Sequence, residues 1–449
     1  MDHSVWHLAG LAAVALRVTP AWAAGGGAAA AKGPVKVEVR KEGAGFRLYR
    51  GGEPYYIKGA VYWSSPRGRF PLAGIVQRGG NSVRCGAHID ETLEEAARLG
   101  ATVTLGLRMK MEAVHGFDYG DANAVAAQFE QVKATVLKCK DHPAVLMWGI
   151  GNELSMGYRN KKVWDAVNAV AEFIHKVDPY HPTMTVIGGG HKLEESADIL
   201  RQAPAVDVLG VNFYKGLETV PARLREVGWP KPYVITEWGP SGHWQVPKTA
   251  WRAAVEETST EKAERYKERY ENTMRKDTER CLGSYVFFWQ HKQETTHTWY
   301  GMFLAGGERT EAVNVMQQLW TGKWPANRAS RIDSLTLDGK AATDSVVLDP
   351  GTAHEAVLAA ADPDGDEMTY QWEFLPEATK LGYGGMGERK PLAVKGLVKS
   401  ASGGKLAFTA PEAPGPYRLF AVVLDGQGNA ATANIPFHVG PVPKQPLRR

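Results

Sequence analysis

The sequence predicts two domains: a (β/α)8 (TIM) barrel followed by a small all-β sandwich. Three observations lead there. Between Tyr55 and Trp324, eight short β-rich runs alternate with helical stretches. Those runs are almost continuously apolar, as buried parallel strands are, rather than alternating. After Pro325 the texture changes to short alternating runs separated by Asp-Gly turns.

The barrel strands read in order. Tyr55 to Trp63 is the first and Asn81 to Arg84 the second, with a helix near Glu91 to Leu99. Ala101 to Leu107 is the third, with a helix near Ala122 to Lys140, and Val145 to Ile150 the fourth, with a helix near Lys161 to Val177. Thr183 to Ile187, Val206 to Phe213, Tyr233 to Thr236 and Ser284 to Trp289 follow. A long charged helix near Glu256 to Thr278 separates the last two, and Ala312 to Leu319 closes the series. Eight units in this length suit a closed barrel better than an open doubly wound sheet. No Gly-rich phosphate loop follows the first strand, which counts against a dinucleotide-binding domain.

The remaining segments set the boundaries. Residues 1–23 read as an export signal, with Leu8 to Leu16 apolar and Ala21-Trp22-Ala23 as cleavage site, so the protein is expected in the periplasm or outside the cell. Residues 24–34 are a small-residue linker, and 35–325 hold the barrel with a short N-terminal β-extension, Val37 to Arg40 and Phe46 to Tyr49. Residues 326–440 form an immunoglobulin-like sandwich with a Gly-rich loop from Lys380 to Lys390, read as an accessory module that binds glycan or packs on the barrel. Residues 441–449 are a disordered tail.

Composition narrows the function. The formal charge over 449 residues is only +4 with no basic block, which argues against a nucleic-acid partner. No segment reaches the length of an apolar membrane-spanning helix. The three cysteines, Cys85, Cys139 and Cys281, have no metal spacing and read as buried thiols. No cofactor is implied. His88, His243, His291 and His297 lack the carboxylate or thiolate neighbours of a metal site, so no metal is expected in the barrel. Asp362-Pro363-Asp364-Gly365-Asp366 offers hard oxygens suited to calcium, but reads better as a metal-free Asx turn.

The chemistry concentrates at the strand ends, where barrel enzymes keep their sites. Asn152-Glu153 follows the fourth strand and Glu237 the seventh. An ionised carboxylate after a run of buried residues is costly unless paired or solvated in a cleft. Two of them at one barrel mouth suit cleavage of an acetal, in which one carboxyl protonates the departing oxygen and the other attends the anomeric carbon.

On these residues the chain resembles clan A glycoside hydrolases, and most closely the family 2 barrel domain. His142 to Glu153 resembles that family's acid/base segment, Lys231 to Gly239 its nucleophile segment, and Gly52 to Gly59 its barrel entry. Asn81 to Arg84 resembles its second strand and Asn212-Phe213-Tyr214 its sixth. The resemblance implies a retaining β-glycosidase acting on a β-linked carbohydrate, with Glu153 as acid/base and Glu237 as nucleophile. It implies that Asn152 bonds the sugar 2-hydroxyl, that Arg84 and Tyr214 hold Glu237, and that Trp289 floors the sugar. Trp63, His88, Asn212 and Trp238 are further candidates for the cleft; His243, Trp244, His291, His297, Trp299 and Tyr300 could add subsites. A transglycosylase with the same covalent intermediate and an inactive glycan-binding barrel are the alternatives. Family 2 enzymes normally carry two β-domains before the barrel, so the short extension here implies a more open cleft.

Overall fold

The computed structural model describes residues 33–63 and 70–443, apart from the side chains of 190–192. The expected leader, nearly all of the linker and the end of the tail lie outside the described residues.

Three short strands open the described chain: β1 (Val37–Glu42), β2 (Gly45–Arg50) and β3 (Glu53–Tyr55), paired antiparallel in that order. They cover the base of a closed parallel barrel. Val37 N–H donates to Tyr180 O (2.8 Å), Phe46 N–H to Glu279 O (2.6 Å) and Arg50 Nη2 to Pro143 O (2.9 Å), all just ahead of barrel strands.

The barrel strands are β4 (Ile57–Val61), β5 (Ser82–Cys85), β6 (Thr102–Leu107), β7 (Val145–Ile150), β8 (Thr183–Gly188), β9 (Val208–Asn212), β10 (Tyr233–Trp238) and β11 (Cys281–Val286). Each pairs in parallel with the next, and β11 pairs with β4 to close the ring. The eight expected strands are therefore all present. The run from Tyr55 to Trp63 is not one strand, however: it breaks at Tyr56, with Tyr55 ending the base sheet and Ile57 starting the barrel.

Helices α1 (Ala73–Gln77), α2 (Ile89–Leu99), α3 (Glu112–His115), α4 (Ala122–Cys139), α5 (Lys162–Val177), α6 (Ser196–Gln202), α7 (Val220–Glu226), α8 (Ser259–Arg269) and α9 (Glu311–Thr321) accompany the strands. Helix α8 is shorter than the charged stretch suggests. A reciprocal capping box between Thr258 and Glu261 starts it, because those side chains satisfy amides that the helix itself leaves unpaired. Inside the barrel, the Tyr285 hydroxyl lies 2.9 Å from Ser82 Oγ and 2.6 Å from Thr104 Oγ1, so the polar groups below the mouth are bonded. Cys85, Cys139 and Cys281 are buried free thiols. No helix among the described residues is long and apolar enough to cross a membrane.

The second domain packs two four-stranded sheets. Strands β12 (Arg331–Leu337), β14 (Ala353–Ala361), β17 (Lys405–Thr409) and β16 (Val398–Ser402) form one, in that order. Strands β13 (Val347–Leu348), β19 (Ala430–Val439), β18 (Gly415–Leu424) and β15 (Thr369–Pro376) form the other. Their inner faces share one apolar core that includes Phe374, Phe408, Leu419 and Phe437. The domain docks on the barrel along α8: Ile332 N–H donates to Thr260 Oγ1 (2.8 Å) and Thr432 N–H to Ser259 Oγ (2.9 Å).

Candidate active site

The fourth strand ends in a turn that only glycine makes easily. Gly151 has φ +70°, and a Cβ there would lie 2.5 Å from the Leu154 side chain. Glu153 itself takes φ +50°, uncommon for a residue with a Cβ, and its amide donates to Val186 O of β8 (2.9 Å). That bond carries Asn152 and Glu153 over the barrel opening.

Strand β10 aims its carboxylate differently. Its pairing with both neighbours slips around Ile235 to Trp238. Such an irregularity re-aims side chains. Thr236 and Glu237 both reach groups at the mouth, while Trp238 turns outward against Tyr266 and Tyr270.

These residues meet. Arg84 of β5 places Nη1 2.9 Å from Glu237 Oε1, and its Nη2 donates to Asn152 Oδ1 at 2.5 Å. Asn212 of β9 donates from Nδ2 to Asn152 Oδ1 (3.1 Å) and to Glu153 Oε1 (3.0 Å), while its Oδ1 accepts from Thr236 Oγ1 (2.8 Å). The Tyr214 hydroxyl donates to Glu237 Oε2 at 3.3 Å. One unbroken polar chain thus joins Glu237, Arg84, Asn152, Asn212 and Glu153.

The two carboxyls are not equivalent electrically. Burial, and then the negative charge of Glu237, raise the pKa of Glu153 against opposing bonds from Tyr383 and Asn212. Glu237 instead has a guanidinium and a phenol against it, and burial together with Glu237 pushes the Tyr214 hydroxyl well above its ordinary pKa, so it remains a donor. A carboxyl with a raised pKa beside a cation-paired carboxylate is the asymmetry that suits acid-assisted displacement at an acetal.

The family model described as "Glycosyl hydrolases family 2, TIM barrel domain" matches residues 90–316, half of the chain. The chain belongs to glycoside hydrolase family 2. No curated protein matches it. Among solved structures, this family 2 chain is similar to a GH2 β-galacturonidase from Eisenbergiella tayi bound to galacturonate, at 18% identity and TM-score 0.49, covering 64% of this chain and 54% of that one. It is also similar to an FMN-binding β-glucuronidase from Facaelibacterium prausnitzii L2-6, at 14% identity and TM-score 0.50, covering 90% of this chain and 59% of that one. The chain therefore spans just over half the length of these neighbours, and identities this low bear on the fold alone.

The other expected cleft residues of this family 2 barrel divide. Trp63, 45% exposed, stands at the mouth with its ring edge-on to Phe288 at 4.9 Å. Trp289 does not floor the opening. It is fully buried between Phe303 and Trp320, because past the end of β11 it faces the helical layer. Trp238 is likewise buried on Tyr266 and Tyr270 and offers no ring to a ligand. His88 sits apart from the carboxylates, in a groove with Arg108 and Lys138, where its carbonyl accepts from the Thr92 hydroxyl at 2.8 Å. Among the loop aromatics, Trp244 is exposed beside Tyr214, Trp299 and Tyr300 are buried, and His297 packs on Phe420 of the sandwich.

Three groups around the site carried no weight in the sequence reading. Thr236 orients Asn212, and its place next to Glu237 was the available signal. Glu294, after β11, is buried and ion-paired with Lys292 at 2.7 Å; burial raises its pKa, and Lys292 offsets only part. Tyr383, in the sandwich, donates to Glu153 Oε2. Nothing local in the sequence marks it. The Asp362, Asp364 and Asp366 oxygens lie within 4.8 Å of one another, and each carboxylate already accepts from a neighbouring donor: Ser330 Oγ, the Arg328 amide or Asn327 Nδ2.

Proposed function

We propose that the protein is a retaining β-glycoside hydrolase working through a covalent glycosyl-enzyme. The observation that carries the reading is the polar chain that joins Glu153 to Glu237, with Arg84 against Glu237 and burial raising the pKa of Glu153. Glu153, with its proton held by burial and by the charge of Glu237, is the general acid to the leaving oxygen. Glu237, paired with Arg84, attacks the anomeric carbon. Esterification removes its charge, so Glu153 gives up its proton more readily and next serves as base to the incoming water. Asn152 Oδ1 already accepts from Arg84 and Asn212, which leaves its Nδ2 for a sugar hydroxyl. The substrate is a β-linked glycan or oligosaccharide that meets Trp63 and Trp244, the exposed rings near the opening.

The test is trapping with a panel of 2-deoxy-2-fluoro β-glycosides bearing activated leaving groups, followed by peptide mass spectrometry. An adduct on Glu237, lost in Glu237→Gln, is the expected result. Full turnover by Glu237→Gln would refute the reading.

A further inference from the structure

The Gly-rich loop of the second domain reaches the barrel mouth. Its tip, Leu381 to Glu388, follows β15, and Tyr383 places its hydroxyl on Glu153 Oε2. Glu153 Oε1 is held by Asn212 Nδ2 at 3.0 Å. Each oxygen of this carboxyl thus has its own donor, one from the barrel and one from the sandwich.

The loop is fastened independently of that bond. Glu388 Oε2 accepts from the Thr295 amide at 2.7 Å, and its Oε1 accepts from the Gly382 amide at 3.0 Å. One carboxylate therefore ties the loop's own start to the barrel segment after β11. At Gly385 (φ +76°) the loop passes so close that a Cβ would lie 2.6 Å from Gln293 O. Glycine is required there by approach as well as by conformation.

We propose that Tyr383 is a positioning residue for Glu153, so that the catalytic site of this chain is completed by its C-terminal domain. The inference rests on the glycosidase reading above. A phenol that donates to Oε2 stabilises the ionised carboxylate, the form Glu153 takes after giving its proton to the leaving oxygen. Burial and the charge of Glu153 push the Tyr383 hydroxyl far above its ordinary pKa, so it stays a donor throughout the working range. The titratable and charged groups whose fields reach this pair are Glu237, Arg84, Tyr214 and Glu294. Because Glu153 stands beside the leaving oxygen, Tyr383, 37% exposed, lies on the leaving-group side and borders whatever departs.

The test compares full-length wild type, Tyr383→Phe, Tyr383→Ala and Glu388→Gln on a 4-nitrophenyl β-glycoside that the wild type hydrolyses, across pH. With the hydroxyl gone, Glu153 holds its proton more tightly, so the basic limb of kcat/KM for Tyr383→Phe moves up by about 0.5–1 pH unit. Its kcat falls, because Glu153 with a more tightly held proton is the weaker acid to the leaving oxygen, while KM holds because the ring remains. Tyr383→Ala adds a rise in KM. Glu388→Gln, which frees the loop without touching the tyrosine, moves the same limb the same way. A basic limb and kcat for Tyr383→Phe that coincide with wild type, while Glu237→Ala is inactive, overturn this inference and leave the glycosidase reading standing. A wild type inert on every aryl β-glycoside overturns both.

Discussion

Replacing Arg84 by methionine keeps the length of the side chain and removes its charge. Arg84 Nη1 stands 2.9 Å from Glu237 Oε1, with side chains 11% and 17% exposed. A pair at this depth has lost most of its water. At an effective dielectric of about 20, two charges 4 Å apart attract by about 4 kcal/mol. Removing one partner of such a pair costs roughly 3–5 kcal/mol, because the other charge is stranded. The residual exposure favours the lower end. At about 1.4 kcal/mol per decade, kcat/KM should fall about 10²–10³-fold. The same change also deletes the bonds to Asn152 Oδ1 (2.5 Å) and Thr236 O (3.2 Å), so Arg84→Lys, which keeps charge but has no fork, should fall in between. The assay is kcat/KM on the best aryl β-glycoside, with circular dichroism to verify folding. A folded Arg84→Met within about threefold of wild type would place the pair among exposed ion pairs worth under about 1 kcal/mol and refute the reasoning.

Three further outcomes can be checked. Glu153→Gln should slow hydrolysis of phenyl glycosides by about 10²–10⁴-fold while sparing glycosylation by strongly activated dinitrophenyl glycosides; equal losses on both would remove Glu153 from the acid role. Glu311, at the start of α9, is pushed up to about 7 by burial, which Arg331 and Arg328 offset only partly. Its folded pKa exceeds the ordinary 4.5, so the stability it contributes is present below about 4.5 and lost as pH rises through about 7. Glu311→Gln should flatten that part of a plot of Tm against pH, and an unchanged slope would count against it. Arg418→Met should destabilise the sandwich by roughly 3–5 kcal/mol, seen as a lowered or separate melting transition, because Glu377, 2.8 Å away, would be left buried without its cation; a melt that matches wild type would contradict this.

The barrel was legible because its signal is local and repeated. Each strand is a short apolar run, with Glu153 just past the end of β7 and Glu237 near the end of β10. Arg84, Asn212 and Tyr214 were legible for the same reason, since each lies at or just beyond the end of its strand. The tryptophans were harder. Position at a strand end does not say which way a side chain turns, and the slip in β10 sends Trp238 outward while Glu237 stays at the mouth. Trp289 follows the same logic past the end of β11. Tyr383 was beyond any local reading, because 230 positions separate it from Glu153 and only the docking of two domains brings them together.

That docking is specified by polar groups. Glu256, just before α8, is fully enclosed. Its Oε1 lies 2.5 Å from Lys262 Nζ and accepts from Thr298 Oγ1 (2.8 Å), and its Oε2 accepts from Thr296 Oγ1 (2.6 Å) and from Asn434 Nδ2 of β19 (2.7 Å). Burial alone would raise its pKa, yet the charges of Lys262 and Arg418 outweigh it and hold it low. One carboxylate therefore registers helix α8, the segment after β11 and the sandwich against each other. Thr296 sits one residue from Thr295, whose amide holds Glu388 and with it the Tyr383 loop. A greasy interface of the same area would tolerate a slide of an ångström. A buried carboxylate with four directional partners does not, because each lost bond would leave a charged oxygen unsatisfied. The charged interface is thus what lets a side chain from the second domain meet a carboxyl of the first at hydrogen-bonding range.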